Sequence, residues 1–106
     1  KGGDPCMQLL TQDLLAKLPP LYATENEKDP MVWVKFFYPD FDWTWFAIEF
    51  DGQDTFFGLV DGYKAELGYF HLSELQQNRG KWGLPIERDL SFEPCRLSVL
   101  RAKLRR

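Results

Sequence analysis

The stretch DWTWFAIEFDGQDTFFG, residues 42–58, constrains the fold more than any other, because it alternates like a β-strand yet carries apolar side chains on both faces. In extended chain, successive side chains point to opposite sides. Thr44, Phe46, Ile48 and Phe50 share one face, read as the core side, while Trp43, Trp45, Ala47, Glu49 and Asp51 share the other. DGQD is a turn in which Gly52 accepts a positive φ, and TFFGLVDG returns as the next strand of a hairpin. The preceding run MVWVKFFY is also apolar on both sides apart from Lys35, and Pro39 ends it because proline cannot donate to a central ladder. A sheet built from such strands has two greasy surfaces, and each needs a cover.

The remaining segments supply that cover. Thr11 is the expected N-cap of a helix ending at Leu18, with Leu14, Leu15 and Leu18 together before Pro19-Pro20. Residues 23–30 are polar and read as a loop. ELGYFHL forms a fourth strand, and ERDLSFEP a fifth, with Ile86, Leu90 and Phe92 on one face. Ser73 and Gln76 fit a capping box, and Gly80 fits the C′ position of a helix over 73–79. Leu97, Leu100 and Leu104 line one side of a C-terminal helix over 97–105.

The expected fold is therefore α+β, an antiparallel meander of about five strands with two or three short helices. The helices are expected to pack on one face, while loops or another subunit shield the second. With 106 residues, 44% of them hydrophobic, the chain has material for one core. The expected division is an extension over 1–6, one domain over 7–95 and a basic amphipathic tail over 96–106, with Met7 as a natural start. No apolar run reaches the roughly 18–20 residues of a membrane span, and no secretory signal opens the chain. A cytoplasmic protein is the expectation. Cys6 and Cys95 then read as free thiols, a disulfide between the chain ends being the alternative.

Charge separates the classes of partner. Residues 1–95 hold 8 Lys/Arg against 16 Asp/Glu, whereas residues 96–106 hold 5 Lys/Arg and no acid. An acidic body lacks the driving force that draws proteins to phosphate backbones. Exposed rings that stack single-stranded bases gain roughly 1–3 kcal/mol each, but they work beside interleaved cations. Here Trp43 and Trp45 are flanked by Asp40, Asp42, Glu49 and Asp51. The tail alone could serve as an anion-binding arm, and it reads more simply as an amphipathic helix docked on the sheet.

Catalytic patterns are sparse. One histidine, His71, rules out multi-histidine metal patterns, and the cysteines have no metal-ligand spacing, so no cofactor and no metal are expected. Phosphate-binding glycine loops and the G-x-S-x-G elbow do not occur. Glu49, Asp51, Asp54, Asp61 and Glu66 could gather around Mg²⁺ if the hairpin turns converge, the last four being the candidate ligands of a nuclease. Pro39-Asp40 lacks the downstream acid-x-Lys of a common nuclease arrangement. The acids in DGQD and VDG otherwise read as turn formers. Arg88 alternates with Ile86 and Leu90, which points it inward toward a carboxylate such as Glu49 or Glu66, or toward an anionic ligand.

The blocks LLTQDLLAKLPPL, VKFFYPDFDWTWFAIEFDGQDTFFGLVDG, ELGYFHLSEL and RGKWGLPIERDLSFEP resemble, in order across residues 8–94, those of the bacterial domain-of-unknown-function family 2958. The resemblance implies a small, stand-alone protein that accompanies plasmids and other mobile DNA. Some similar sequences are called single-stranded DNA endonucleases, but no catalytic residue comes with the resemblance. It marks Trp43, Trp45, Glu49, Glu66, Tyr69, Glu87 and Arg88 as a candidate shared binding surface. The first expectation is a non-enzymatic module that meets a protein partner or its own copy. The alternatives are a metal-dependent single-stranded DNA endonuclease and a small-anion or nucleotide binding domain.

Overall fold

In the computed structural model, which describes residues 8–105, the two-sided apolar runs pair into a five-stranded antiparallel sheet. Cys6, Met7 and the extension before them lie outside the described residues. The elements run α1 (Gln12–Lys17), β1 (Met31–Val32), β2 (Val34–Tyr38), β3 (Phe41–Phe50), β4 (Thr55–Asp61), β5 (Ala65–His71), α2 (Leu72–Gln77), β6 (Glu87–Arg88), β7 (Cys95–Arg96) and α3 (Leu97–Leu104). The strand order is β5-β4-β3-β2-β6, a meander closed at one edge by a late two-residue strand, while β1 and β7 form a separate ribbon. The α+β meander read from the sequence is the fold observed.

Three details differ from that reading. The run expected as one strand over 31–38 breaks at Trp33, which donates to the Ala47 carbonyl while Met31 and Val32 leave the sheet to pair with β7. The fifth strand is only Glu87–Arg88, beside Phe36 and Phe37. The alternation of β3 also slips. Ala47 lies opposite Gly58 and Glu49 opposite Phe57, so two residues of β3 span one step of β4, a β-bulge. Ile48 and Glu49 then both lie on the Phe57 side, and Phe50 moves to the opposite face from Phe46 and Ile48.

Both faces are core, and the helices are divided between them. On one face α1 and α2 cover Val34, Phe36, Trp45, Ala47, Phe50, Phe56 and Phe70. Phe56 is fully buried, with ring centroids 4.5 Å from Phe50, 5.0 Å from Phe70 and 5.5 Å from Phe36. On the other face Leu97 and Leu100 of α3 close over Val32, Phe46, Ile48 and Leu59. This corrects the expectation of helices on one side only; the basic segment is a core helix whose leucines cover the second sheet face. Each large side chain so buried contributes about 1.5–3 kcal/mol. Between the layers β3 and β4 run tightly: a Cβ added to Gly58 would stand 1.8 Å from the Phe46 carbonyl oxygen.

Aspartates from the loops fix the helices. Thr11 caps α1 as expected, accepting from the Leu14 N–H at 3.3 Å. The capping box over Ser73 and Gln76 does not form, because α2 starts at Leu72 with His71 as N-cap and no side-chain cap of its own. Asp54 takes that part from another strand end, accepting from the Ser73 N–H at 2.8 Å and the Ser73 hydroxyl at 3.1 Å. Gly80 lies beyond the C-cap, Asn78, and packs against Asp40 instead. Asp29 holds the first turn of α3 through the Ser98 N–H at 2.7 Å and hydroxyl at 2.6 Å.

Candidate functional site

One end of the sheet gathers aromatic rings into a row. Trp45, buried on β3, meets Tyr38 at 5.4 Å; Tyr38 meets Phe41 edge-on at 5.6 Å; Phe41 stacks on Trp43 at 6.4 Å; and Trp43 meets Tyr63 edge-on at 5.2 Å. The row runs from core to solvent, ending at Tyr63, which is 96% exposed. Its geometry is set by backbone. The Trp43 indole lies on Gly62, where an added Cβ would stand 2.3 Å from the ring. Asp40 in the β2–β3 turn accepts from the Trp82 N–H at 2.6 Å and so ties the loop bearing that exposed indole to the same end. Burial and the Asp40 charge push the Tyr38 hydroxyl above the ordinary phenol range. Trp43, one of the residues marked in the sequence, stands in this row with Phe41 and Tyr63, and Trp82 lies on the tied loop; alternation does not reveal these three because they lie in turns or beside them.

The other residues marked by the sequence do not form one surface. Trp45 and Glu49 are buried, Glu49 at 3% exposure. Glu66 and Tyr69 lie on β5 and Glu87 and Arg88 on β6, the opposite edges of the sheet. Arg88 cannot pair with Glu66 across that width; its guanidinium donates to the carbonyl oxygens of Gln8 at 2.6 Å and Leu9 at 3.2 Å, holding the N-terminal segment against the edge. The Glu49 carboxylate is occupied elsewhere. Its Oε1 accepts from the Tyr22 N–H at 2.8 Å, and its Oε2 from the Thr24 N–H at 2.8 Å and the Thr24 hydroxyl.

The other four acids considered as metal ligands do not gather either. Asp51 Oδ1 accepts from the N–H groups of Gln53, Asp54 and Thr55 within its own turn, and these bonds hold its carboxyl below the usual carboxylate range. Asp54 caps α2. Asp61 closes the far end of β4, roughly 20 Å along the strand at about 3.3 Å per residue. Glu66 is opposite Val60 at that same far end. Among the described residues no group of three or more His, Cys, Asp or Glu is placed to hold a metal ion.

Asp54, His71 and Ser73 have the residue types of a hydrolytic triad but not its connectivity. The Ser73 hydroxyl donates to Asp54, and His71 Nδ1 lies 3.2 Å from Thr55 Oγ1 and 3.6 Å from Asp54 Oδ2. A serine nucleophile needs its hydroxyl against the imidazole. The trio is a helix cap.

A cleft lies on the α3 side of the sheet, between the strap over residues 20–28 and strands β4 and β5. Tyr22, Glu25, Glu27, Phe57, Leu67 and Tyr69 line it, with Glu49 at its base. Tyr69 pairs with Phe57 at 5.3 Å between ring centroids. Its hydroxyl is pushed above the ordinary phenol range by its hydrogen bond to Tyr22, then by burial and by the neighbouring Tyr22, Glu49 and Glu25.

No helix among the described residues is long and apolar enough to cross a membrane. Comparison with curated proteins and with solved structures finds no match. A family model matches residues 9–105, taking in α3, which lies beyond the sequence blocks. The chain accordingly belongs to the family described as Protein of unknown function (DUF2958).

Proposed function

We propose that this chain is a non-enzymatic binding module, carried by bacterial mobile DNA and acting in the cytoplasm, that meets another polypeptide through its aromatic end. One observation carries the reading: a row anchored by Tyr38 and Trp43, which pack against the core, continues into solvent through Phe41 and Tyr63, with Trp82 on a loop tied to the same end by Asp40. Rings fixed in advance lose little freedom on docking, and tryptophan and tyrosine dominate the energetic centres of protein interfaces. Asp40, Asp42 and Asp61 lie at this end with Lys64 and Lys81, and Arg101 and Arg105 border Ala65 nearby, so charges of both signs surround the rings where polyphosphate needs a run of cations. The association with mobile DNA is supported by the family's sequence blocks.

The test uses Tyr63→Ser with Trp82→Ser, two exposed positions whose exchange leaves the core intact. Quantitative capture from the host extract is compared between the native and doubly substituted chains, and sedimentation velocity reports self-association. A polypeptide, or a second copy, bound by the native chain and lost by the variant supports the reading. Indifference to the substitutions counts against it. Cleavage of labelled single-stranded DNA in Mg²⁺ or Mn²⁺ that Glu66→Ala abolishes would replace it with the endonuclease reading.

A further inference from the structure

The cleft beneath the 20–28 strap lies at the opposite end of β3 from the aromatic row, so it stands apart from the surface proposed above. We propose that it is a binding site for a guanidinium or primary ammonium group on an aliphatic stem. Its volume, about 350 Å³, lies at the small-ligand end of the range for natural binding cavities, roughly 300–1,000 Å³. Three large apolar side chains left exposed in this molecule, Tyr22, Leu67 and Tyr69, converge on its rim, with Phe57 behind them. Scattered exposed side chains of this kind need no explanation, whereas their convergence around a concavity does.

The sign of charge selects the ligand. Three carboxylates, Glu25, Glu27 and Glu49, face one cation, Lys28. The bulge is what turns Glu49 toward this side of the sheet, and the strap closes over it with Tyr22 at φ 70°, a left-handed conformation that an aromatic residue adopts only when its surroundings enforce it. Bulges of this kind re-aim single side chains next to sites. Tyrosine faces attract a cation through the ring quadrupole while apolar side chains take up the methylene stem. An anion would meet the Glu25 and Glu27 carboxylates at the rim, and a neutral ligand would gain nothing from them, whereas the Glu49 carboxylate at the base already has its three donors.

Nuclear magnetic resonance of the full ¹⁵N-labelled chain tests the site with three probes: agmatine, N-acetyl-arginine amide and its uncharged isostere N-acetyl-citrulline amide. The two cations are expected to shift the amides of Thr24, Glu25, Leu67 and Tyr69 saturably, and the isostere to leave them in place. Glu25→Gln with Glu27→Gln, both exposed and outside the core, is expected to weaken the cations about fivefold, the scale of two exposed charge pairs. Leu67→Trp, which fills the cleft from an exposed position, is expected to abolish binding. Tighter agmatine identifies a free amine as the ligand, and tighter arginine amide a side chain of a polypeptide. No saturable shift, equal binding of the citrulline isostere, or undiminished binding by both variants would overturn the proposal.

Discussion

Glu49 is an acceptor meeting three donors, and that sets what a single-atom change does. In Glu49→Gln one oxygen becomes an NH₂ group, which must face either the Tyr22 N–H or the Thr24 pair. Leaving a buried donor unpaired costs on the order of 1–3 kcal/mol. Urea unfolding is expected to show that loss, with amide exchange rising first across residues 21–25. Phe56 is a contrasting case, held by packing alone among Phe36, Phe50 and Phe70. Phe56→Ala should cost about 3–5 kcal/mol, since three rings cannot collapse into the space of a fourth. Neither position was fully legible beforehand. Strict alternation puts Glu49 on the face of Trp43 and Trp45, and only the two-against-one pairing with β4 shows that it turns toward the strap. The donors it meets come from Tyr22 and Thr24, in a loop whose sequence is merely polar.

The same limit appears at the scale of elements. A capping box at Ser73 is the local reading of α2, whereas the acceptor comes from Asp54, nineteen residues earlier in the chain. Asp54→Ala is therefore expected to cost about 1 kcal/mol, the ordinary worth of a helix cap. Gln76→Ala should cost almost nothing, although the capping box would rank it an equal partner. For α3 the sequence showed the apolar stripe correctly but not what it covers, since helical periodicity says which side is buried and not against which sheet face. Leu100→Ala should cost about 2–5 kcal/mol if α3 closes the second core, and close to nothing for a solvated tail. Strand identity in the meander is legible because β2 to β5 are rich in aromatic residues; the fifth strand read over 87–94 shortens to Glu87–Arg88, after which the Asp89 N–H bonds the Lys35 carbonyl and the chain turns away.

At the scale of the whole molecule, stability in acid follows from the aspartates that fasten turns and helices. Hydrogen bonds from the Ser98 hydroxyl and then its N–H lower the pKa of Asp29; burial opposes them, and the Arg96 charge adds a lesser lowering. Asp51 is lowered by the N–H groups of its own turn. A depressed carboxyl binds fewer protons folded than unfolded at the same pH, so its contribution is complete above the unfolded value near 3.9 and is lost as pH falls through the folded value. Thermal unfolding should show a level melting temperature from neutral pH down to about 5 and a decline below about 4. Replacing Asp29 with Asn should flatten part of that decline.

If the aromatic end of the sheet recognises polypeptide, as proposed, Tyr63 lies in the contact. The most direct measurement puts the photo-reactive amino acid p-benzoyl-phenylalanine in place of Tyr63, the outermost ring of the row, and irradiates cells expressing the chain. The expected result is a discrete, protease-sensitive adduct of higher mass that Trp82→Ser diminishes. An adduct that nuclease removes and protease leaves attached to nucleic acid, or a chain that stays uncrosslinked at its own mass, would contradict the account.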